Sequence, residues 1–282
     1  MAGSEHVALV AAQLEQDRGV SAAVEAAAPQ ITAALEVIVE RLETGGRLLY
    51  AGAGTPGRLA VLDAAECLPT FGAGPETVLA IMAGGERALT RAVEGAEDDA
   101  DQGARDRHMA QVSERDVLVV ISASGRTPYV LGAAVAAKQV GAATVGIVNN
   151  AGTAVADAVD LPIEVLTGPE FVTGSTRLKA GTAQKLVLNM LSTTAMIRLG
   201  KVHGTLMVDV VATNAKLQRR ALRIVTETTG TDDATAAAAL ASCDGNAKSA
   251  ITSVLLYIPA EEAVRRLAAV DGHLARVLSG GE

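Results

Sequence analysis

Along the chain, apolar and polar positions follow two periods that alternate from the first third onward. Residues 48–51, 77–83, 117–122, 144–148 and 161–166 form short apolar runs bounded by glycine or polar residues. Such runs are too short for helices and predict strands buried on both faces. Between them, the stretch after Gly57 and residues 86–108, 128–140 and 151–158 carry apolar positions at helical spacing, and 177–200 continues that spacing in a long closing helix. Strict alternation of this kind predicts an α/β fold, a doubly wound five-stranded parallel sheet with ligands at the carboxyl ends of its strands. Ahead of the first strand, Val24, Ala27, Ile31, Leu35, Ile38 and Leu42 predict one long amphipathic helix over 20–42, ending at Gly45 and Gly46. After about Val202 the strand pattern stops. A polar break at 228–233 precedes helical stretches at 234–240, 247–256 and 260–278, punctuated by Gly245 and Pro259. The expected organisation is a sheet domain over residues 1–215 and a small helical module over 216–282.

Composition narrows what such a fold does. A chain of 282 residues, 49% hydrophobic, has ample material for a core, and its net charge of −8 argues against a nucleic-acid partner or an anionic membrane surface. An anionic ligand would therefore be held by local donors. The two cysteines, Cys67 and Cys243, have neither metal-ligand spacing nor a disulfide framework. No apolar run reaches membrane-spanning length, and the first residues show no basic segment followed by an apolar core, so a cytoplasmic protein without a membrane partner is expected. With no tryptophan and 2% aromatic residues, sugar or base stacking is a poor candidate for recognition.

Three expected strand ends carry the remaining chemistry. Gly52 to Gly57 follow the first strand, Ser122, Ser124, Gly125, Arg126 and Thr127 follow the third, and Thr173, Gly174, Ser175 and Thr176 precede the long closing helix. Hydroxyls and free amides at a helix start cradle a phosphate without needing a cation. Any one such loop is equally explained as ordinary turn and cap chemistry, and their recurrence on one sheet edge favours the ligand. The G-x-G-x-x-G spacing of Gly52, Gly54 and Gly57 invites a dinucleotide reading, but 77–83 contains no acid for the ribose. Arg58 and Leu59 stand where a nucleotide P-loop needs lysine and serine or threonine, so a sugar phosphate fits better. Of the cations near the third loop, Lys179 is the binding candidate, although cations on a helix, Arg177 and Lys185 among them, more often form a solvated face. Glu66 follows Leu59 and Leu62 at helical spacing, which predicts a carboxyl on an inward face, held protonated by burial. His203 is expected to be structural.

The segments GAGTPGRLAVLDAAECLPTFG, AVEGAEDDA, ISASGRTPYVLGA, TGSTRLKAGTAQKLVLNMLST and GKVHGTLMVDVVATNAKL together resemble the N-acetylmuramic acid 6-phosphate etherase family from about Gly45 onward. The resemblance implies a sugar isomerase (SIS) fold, a homodimer, a cytoplasmic role in amino-sugar recycling, no metal or organic cofactor, and a C-terminal module similar to a ubiquitin-associated (UBA-like) domain. It also implies that Glu66 is the proton donor and Glu97 the second active-site glutamate. Family members usually read GAGTSGRL, so Pro56 here removes one hydroxyl and one N–H from the first loop. The substrate implied is N-acetylmuramic acid 6-phosphate, with Gly54, Thr55, Ser122, Ser124, Gly125, Thr127, Thr173, Ser175 and Lys179 expected to bind it. Two other classes fit the same loops: a sugar-phosphate-sensing regulator without catalysis, and an aldose–ketose isomerase, which has no use for an acid at C3.

Overall fold

The computed structural model of the chain describes residues 2–280 and divides them into two compact units, residues 2–64 with 77–192 and residues 65–76 with 193–280. The helices and strands follow in order as α1 (Ala2–Asp17), α2 (Gly19–Ala26), α3 (Ala28–Glu43), β1 (Leu48–Gly52), α4 (Gly54–Phe71), β2 (Val78–Met82), α5 (Arg87–Thr90) and α6 (Ala100–Met109). Then come β3 (Val117–Ser122), α7 (Pro128–Gln139), β4 (Ala143–Val148), α8 (Ala154–Ala158), β5 (Leu161–Glu164) and α9 (Lys179–Arg198). The unit boundary falls within α4 and within α9.

In the first unit the five strands lie parallel in the order β2-β1-β3-β4-β5. Strand order reverses at β1, so β1 and β3 are neighbours whose following helices lie on opposite sides of the sheet, and a crevice opens beyond their carboxyl ends. Both strands are buried along their whole length, as their continuous apolar runs demand. At their opposite ends the Asp116 carboxylate accepts from the Arg47 backbone N–H at 2.9 Å and its guanidinium at 2.8 Å, which fixes their register. Helices α6 and α7 pack backbone on backbone: a Cβ at Gly103 would run into the Tyr129 carbonyl oxygen, and one at Gly132 into that of Ala100.

The second unit contains α10 (Ala215–Thr229), α11 (Asp233–Ser242), α12 (Ala247–Leu256), α13 (Ala260–Ala268) and α14 (Leu274–Leu278). Its apolar cluster gathers Val208, Val210, Ile224, Val225, Ile251 and Leu267. On α12, buried Lys248 donates to Asp209 Oδ2 at 2.5 Å, and Lys201 reaches the same oxygen at 3.3 Å.

Three expected helices are broken, each by local backbone chemistry. The helix expected over 20–42 divides at Ala27, where the axes turn by 55°, because Pro29 in the first turn of α3 has no N–H to give the preceding turn. That expected over 86–108 divides into α5, a 3₁₀ turn (Ala96–Asp98) and α6. Gly95 sits at φ +70°, and the Asp99 side chain caps α6 by accepting from the Gln102 N–H. The stretch 260–278 breaks where Asp271 and Gly272 both take positive φ. Among the described residues no single helix is long and apolar enough to cross a membrane.

Substituting Gly132 by alanine should lower the unfolding free energy by about 3 kcal/mol, because backbone carbonyls cannot move aside as a side chain would. Urea unfolding should show this loss, while Gly19→Ala, which meets nothing within 4 Å, keeps the parent midpoint. Equal midpoints for all three proteins would contradict the close α6–α7 contact.

Candidate active site

The crevice beyond β1 and β3 begins with a contact between two glycines. A Cβ on Gly52 would lie 2.7 Å from the Gly57 nitrogen, and one on Gly57 would lie 2.7 Å from the Gly52 oxygen, so both positions exclude side chains. Gly54, between them, takes φ +59°. This turn folds the first turn of α4 directly over the strand end. Pro56 is accommodated there without losing a helix bond, since the first amides of any helix have no partner within it.

One strand over, the loop after β3 closes into a hydroxyl cluster. Ser122 Oγ lies 2.8 Å from Thr127 Oγ1 and 3.4 Å from Ser124 Oγ, and it accepts the Gly125 N–H at 3.0 Å. Gly125 takes φ +65° against Thr153, where a Cβ would clash. Because Thr127 Oγ1 turns to Ser122, the Thr127 side chain caps none of the amides that open α7. With Pro128 at its start, α7 therefore presents free N–H groups and its positive dipole end beside three hydroxyls, the arrangement that binds an oxyanion.

Beside the first loop, a cavity of about 210 Å³ is lined by Gly54, Arg58, Arg91, Glu94 and Glu97 among others. Glu97 stands in the 3₁₀ turn that interrupts the expected helix, and its side chain is exposed. The Arg58 guanidinium donates to the carbonyls of Leu89 at 3.1 Å and Arg91 at 3.3 Å.

At the start of α9, Thr173 is exposed and Ser175 partly buried, while the opening amides are already taken: Glu170 accepts from Lys179 N–H and Ala180 N–H, both at 2.9 Å. This helix start is thus closed to an anion, unlike that of α7. Lys179 itself is 5% exposed and donates to Gln16 Oε1 at 3.1 Å, with no carboxylate in ion-pair range among the described residues. Thr55 belongs to the same neighbourhood, since its Cγ2 lies 3.4 Å from where a Gly181 Cβ would be.

The inward carboxyl on α4 is Asp63 rather than Glu66. Ala60, Asp63, Cys67 and Phe71 form the buried stripe, whereas Leu62 and Glu66 are exposed, so the face expected from Leu59, Leu62 and Glu66 is rotated away from the core. Asp63 accepts from Tyr50 Oη at 3.0 Å and pairs with Lys185 Nζ at 3.5 Å. Burial raises its pKa from the ordinary 3.8, and Lys185, Ser192 and Tyr50 offset only part of that rise.

Comparison with known proteins places this geometry. The SIS domain family model matches residues 92–194, and the model for the glucokinase regulatory protein N-terminal SIS domain matches residues 30–138. An N-acetylmuramic acid 6-phosphate etherase of Deinococcus radiodurans is 54% identical over 275 residues, covering 98% of this chain and 90% of that protein. The chain belongs to the N-acetylmuramic acid 6-phosphate etherase family. An etherase of Mycolicibacterium smegmatis is 51% identical over 273 residues, covering 97% of this chain and 92% of its own length. A phosphoheptose isomerase structure from Neisseria gonorrhoeae shares the fold, with TM-score 0.52 and 21% identity over 68% of this chain and 97% of its own. The etherase matches extend the resemblance seen from Gly45 onward across the leading helices.

Within this etherase-family frame, the structure draws Gly54 and Glu97 to one cavity and gathers Ser122, Ser124, Gly125 and Thr127 in one loop. Glu66 lies on an exposed face of α4. The sequence pattern does not single out Arg58, Asp63 or Glu170 as site residues. Spacing alone gives no signal for Glu170, whereas the i, i+3, i+7 series from Ala60 through Asp63 to Cys67 was available as an alternative inward stripe.

Asp63 sets a pH dependence of stability. With its folded pKa above the unfolded 3.8, its contribution is complete below that value and is lost as pH rises through the folded pKa. Asp63→Asn removes the titration, so urea unfolding across a pH series should find the variant gaining stability relative to the parent as pH rises. A difference that stays flat or falls would contradict the burial of an ionising Asp63.

Proposed function

We propose that this protein cleaves the D-lactyl ether of N-acetylmuramic acid 6-phosphate, giving N-acetylglucosamine 6-phosphate and D-lactate. The observation that carries this reading is identity above half to etherases over nearly the whole chain. The geometry agrees with a phosphosugar ligand at the β1/β3 crevice.

In the open-chain sugar, the C1 aldehyde acidifies the proton on C2. A base removes that proton, the C3–O bond breaks as an acid protonates the departing lactate oxygen, and water adds to C3 of the unsaturated aldehyde while C2 regains a proton. We assign the base to Glu97 and the acid to Glu66. The 6-phosphate is held by Ser122, Ser124, Gly125 and Thr127 with the amides opening α7, which support this role because the side-chain cap that would occupy those amides is turned elsewhere. Gly54 and Thr55 border the sugar, Thr173 and Ser175 its outer side, and Lys179 is the buried cation that favours a substrate bearing both a phosphate and a carboxylate. The working unit is a homodimer in the cytoplasm, acting without nucleic acid or membrane.

Incubation with N-acetylmuramic acid 6-phosphate should release lactate, and its absence would leave the sensor or isomerase readings. In heavy water, Glu66→Gln should incorporate deuterium at C2 without releasing lactate, and Glu97→Gln should do neither. The opposite pattern would exchange the two roles, and near-normal lactate release by both variants would remove this pair from catalysis.

Ser124→Ala should raise KM for the phosphorylated substrate by about tenfold, the loss expected on removing one hydrogen bond to a charged group, with a smaller effect on kcat. An unchanged KM would place the phosphate elsewhere.

A further inference from the structure

The turn that carries Glu97 is short and held by few bonds of its own. Within it, Ala96 N–H donates to Val93 O at 3.3 Å and Asp98 N–H to Gly95 O at 3.1 Å, both local. Downstream, the Asp99 cap ties the segment to α6. Upstream, it begins at the end of α5, a helix of one turn whose last carbonyls have no successor to bond. Arg58 fills that gap: its Nε–H donates to Leu89 O and its Nη2–H to Arg91 O, just where the chain leaves the helix in extended geometry at φ −136° and ψ 153°. Arg58 follows Gly57, whose backbone is locked on Gly52, so the reach of this arginine starts from a fixed point at the end of β1. Arg58, Arg91 and Glu97 all line the same cavity.

We infer that Arg58 is a positioning residue for Glu97: by clamping the carbonyls of Leu89 and Arg91 it fixes the segment that carries the base over the first loop. The inference rests on the assignment of Glu97 as the base. A planar guanidinium offers two donors in a fork to two carbonyls, which a lysine ammonium cannot match at the same two distances. A purely structural helix-end clamp would lower stability and leave the chemical step unchanged in a folded enzyme. A clamp that aims the base lowers kcat, because misplacement by about 1 Å is worth about 100-fold.

The test uses the full chain, with Arg58→Met, Arg58→Lys and Glu97→Gln, each checked by circular dichroism for folding at the assay temperature. Lactate release and C2 deuterium exchange are followed with N-acetylmuramic acid 6-phosphate. Arg58→Met should lower kcat and C2 exchange together by about 100-fold with KM moving less than about threefold, and Arg58→Lys should recover part of the loss. Parent-like kcat in folded Arg58→Met, or a raised KM with kcat intact, would each overturn the inference. Should Arg58→Met not fold, Arg58→Lys decides alone: an intermediate kcat supports the clamp and a parent-like kcat overturns it. The underlying assignment fails separately, if Glu97→Gln alone retains near-normal activity.

Discussion

The backbone contact between Gly52 and Gly57 is the constraint on which the crevice depends. Because neither residue has a Cβ, the first turn of α4 sits against the end of β1, and that closeness places Gly54, Thr55 and Arg58 at the point where strand order reverses. Any side chain at either glycine would push the helix off the strand and open the turn. From this fixed corner Arg58 reaches the end of α5, and the segment bearing Glu97 follows from it. The neighbouring corner, at the end of β3, is shaped in the same way by Gly125 against Thr153, and the Thr127 side chain, turned to Ser122, leaves the amides of α7 uncapped.

Buried polar groups then hold the helices that carry these corners. Asp63 links α4 to Tyr50 on β1 and to Lys185 on α9. Asn149, just beyond β4, donates to Val165 O at 3.0 Å and accepts from Gln184 of α9 at 2.9 Å. Breaking one partner of such a network leaves a buried group unsatisfied, so each tie fixes an orientation more strictly than apolar packing would. The two helix starts also differ in their capping. Glu170 occupies the amides opening α9, whereas no side chain caps those opening α7.

Much of this was legible in the sequence. The five short apolar runs gave the strands within a residue or two, because strands buried on both faces have no polar alternation to blur. The hydroxyl loops and the family resemblance were legible for the same reason: their residues are contiguous. The helix breaks at Ala27 and Gly95 were not, since apolar spacing continues through both. The second break matters most, because it turns Glu97 out of a helix and into the cavity wall. The inward face of α4 is not the one its leucines predict, because Ala60, Asp63, Cys67 and Phe71 are buried while Leu62 and Leu68 are exposed. Arg58 and Glu170 act on backbone groups far away in sequence, which leaves no periodic trace.

The central claim is that the switch point between β1 and β3 holds the phosphosugar. A crystal structure of the protein with N-acetylglucosamine 6-phosphate tests it most directly. The account predicts the phosphate within hydrogen-bond distance of Ser122, Ser124 and Thr127 at the start of α7, with the sugar's C2 turned toward Glu97. A phosphate bound at the start of α9, or among the helices after residue 215, would contradict it.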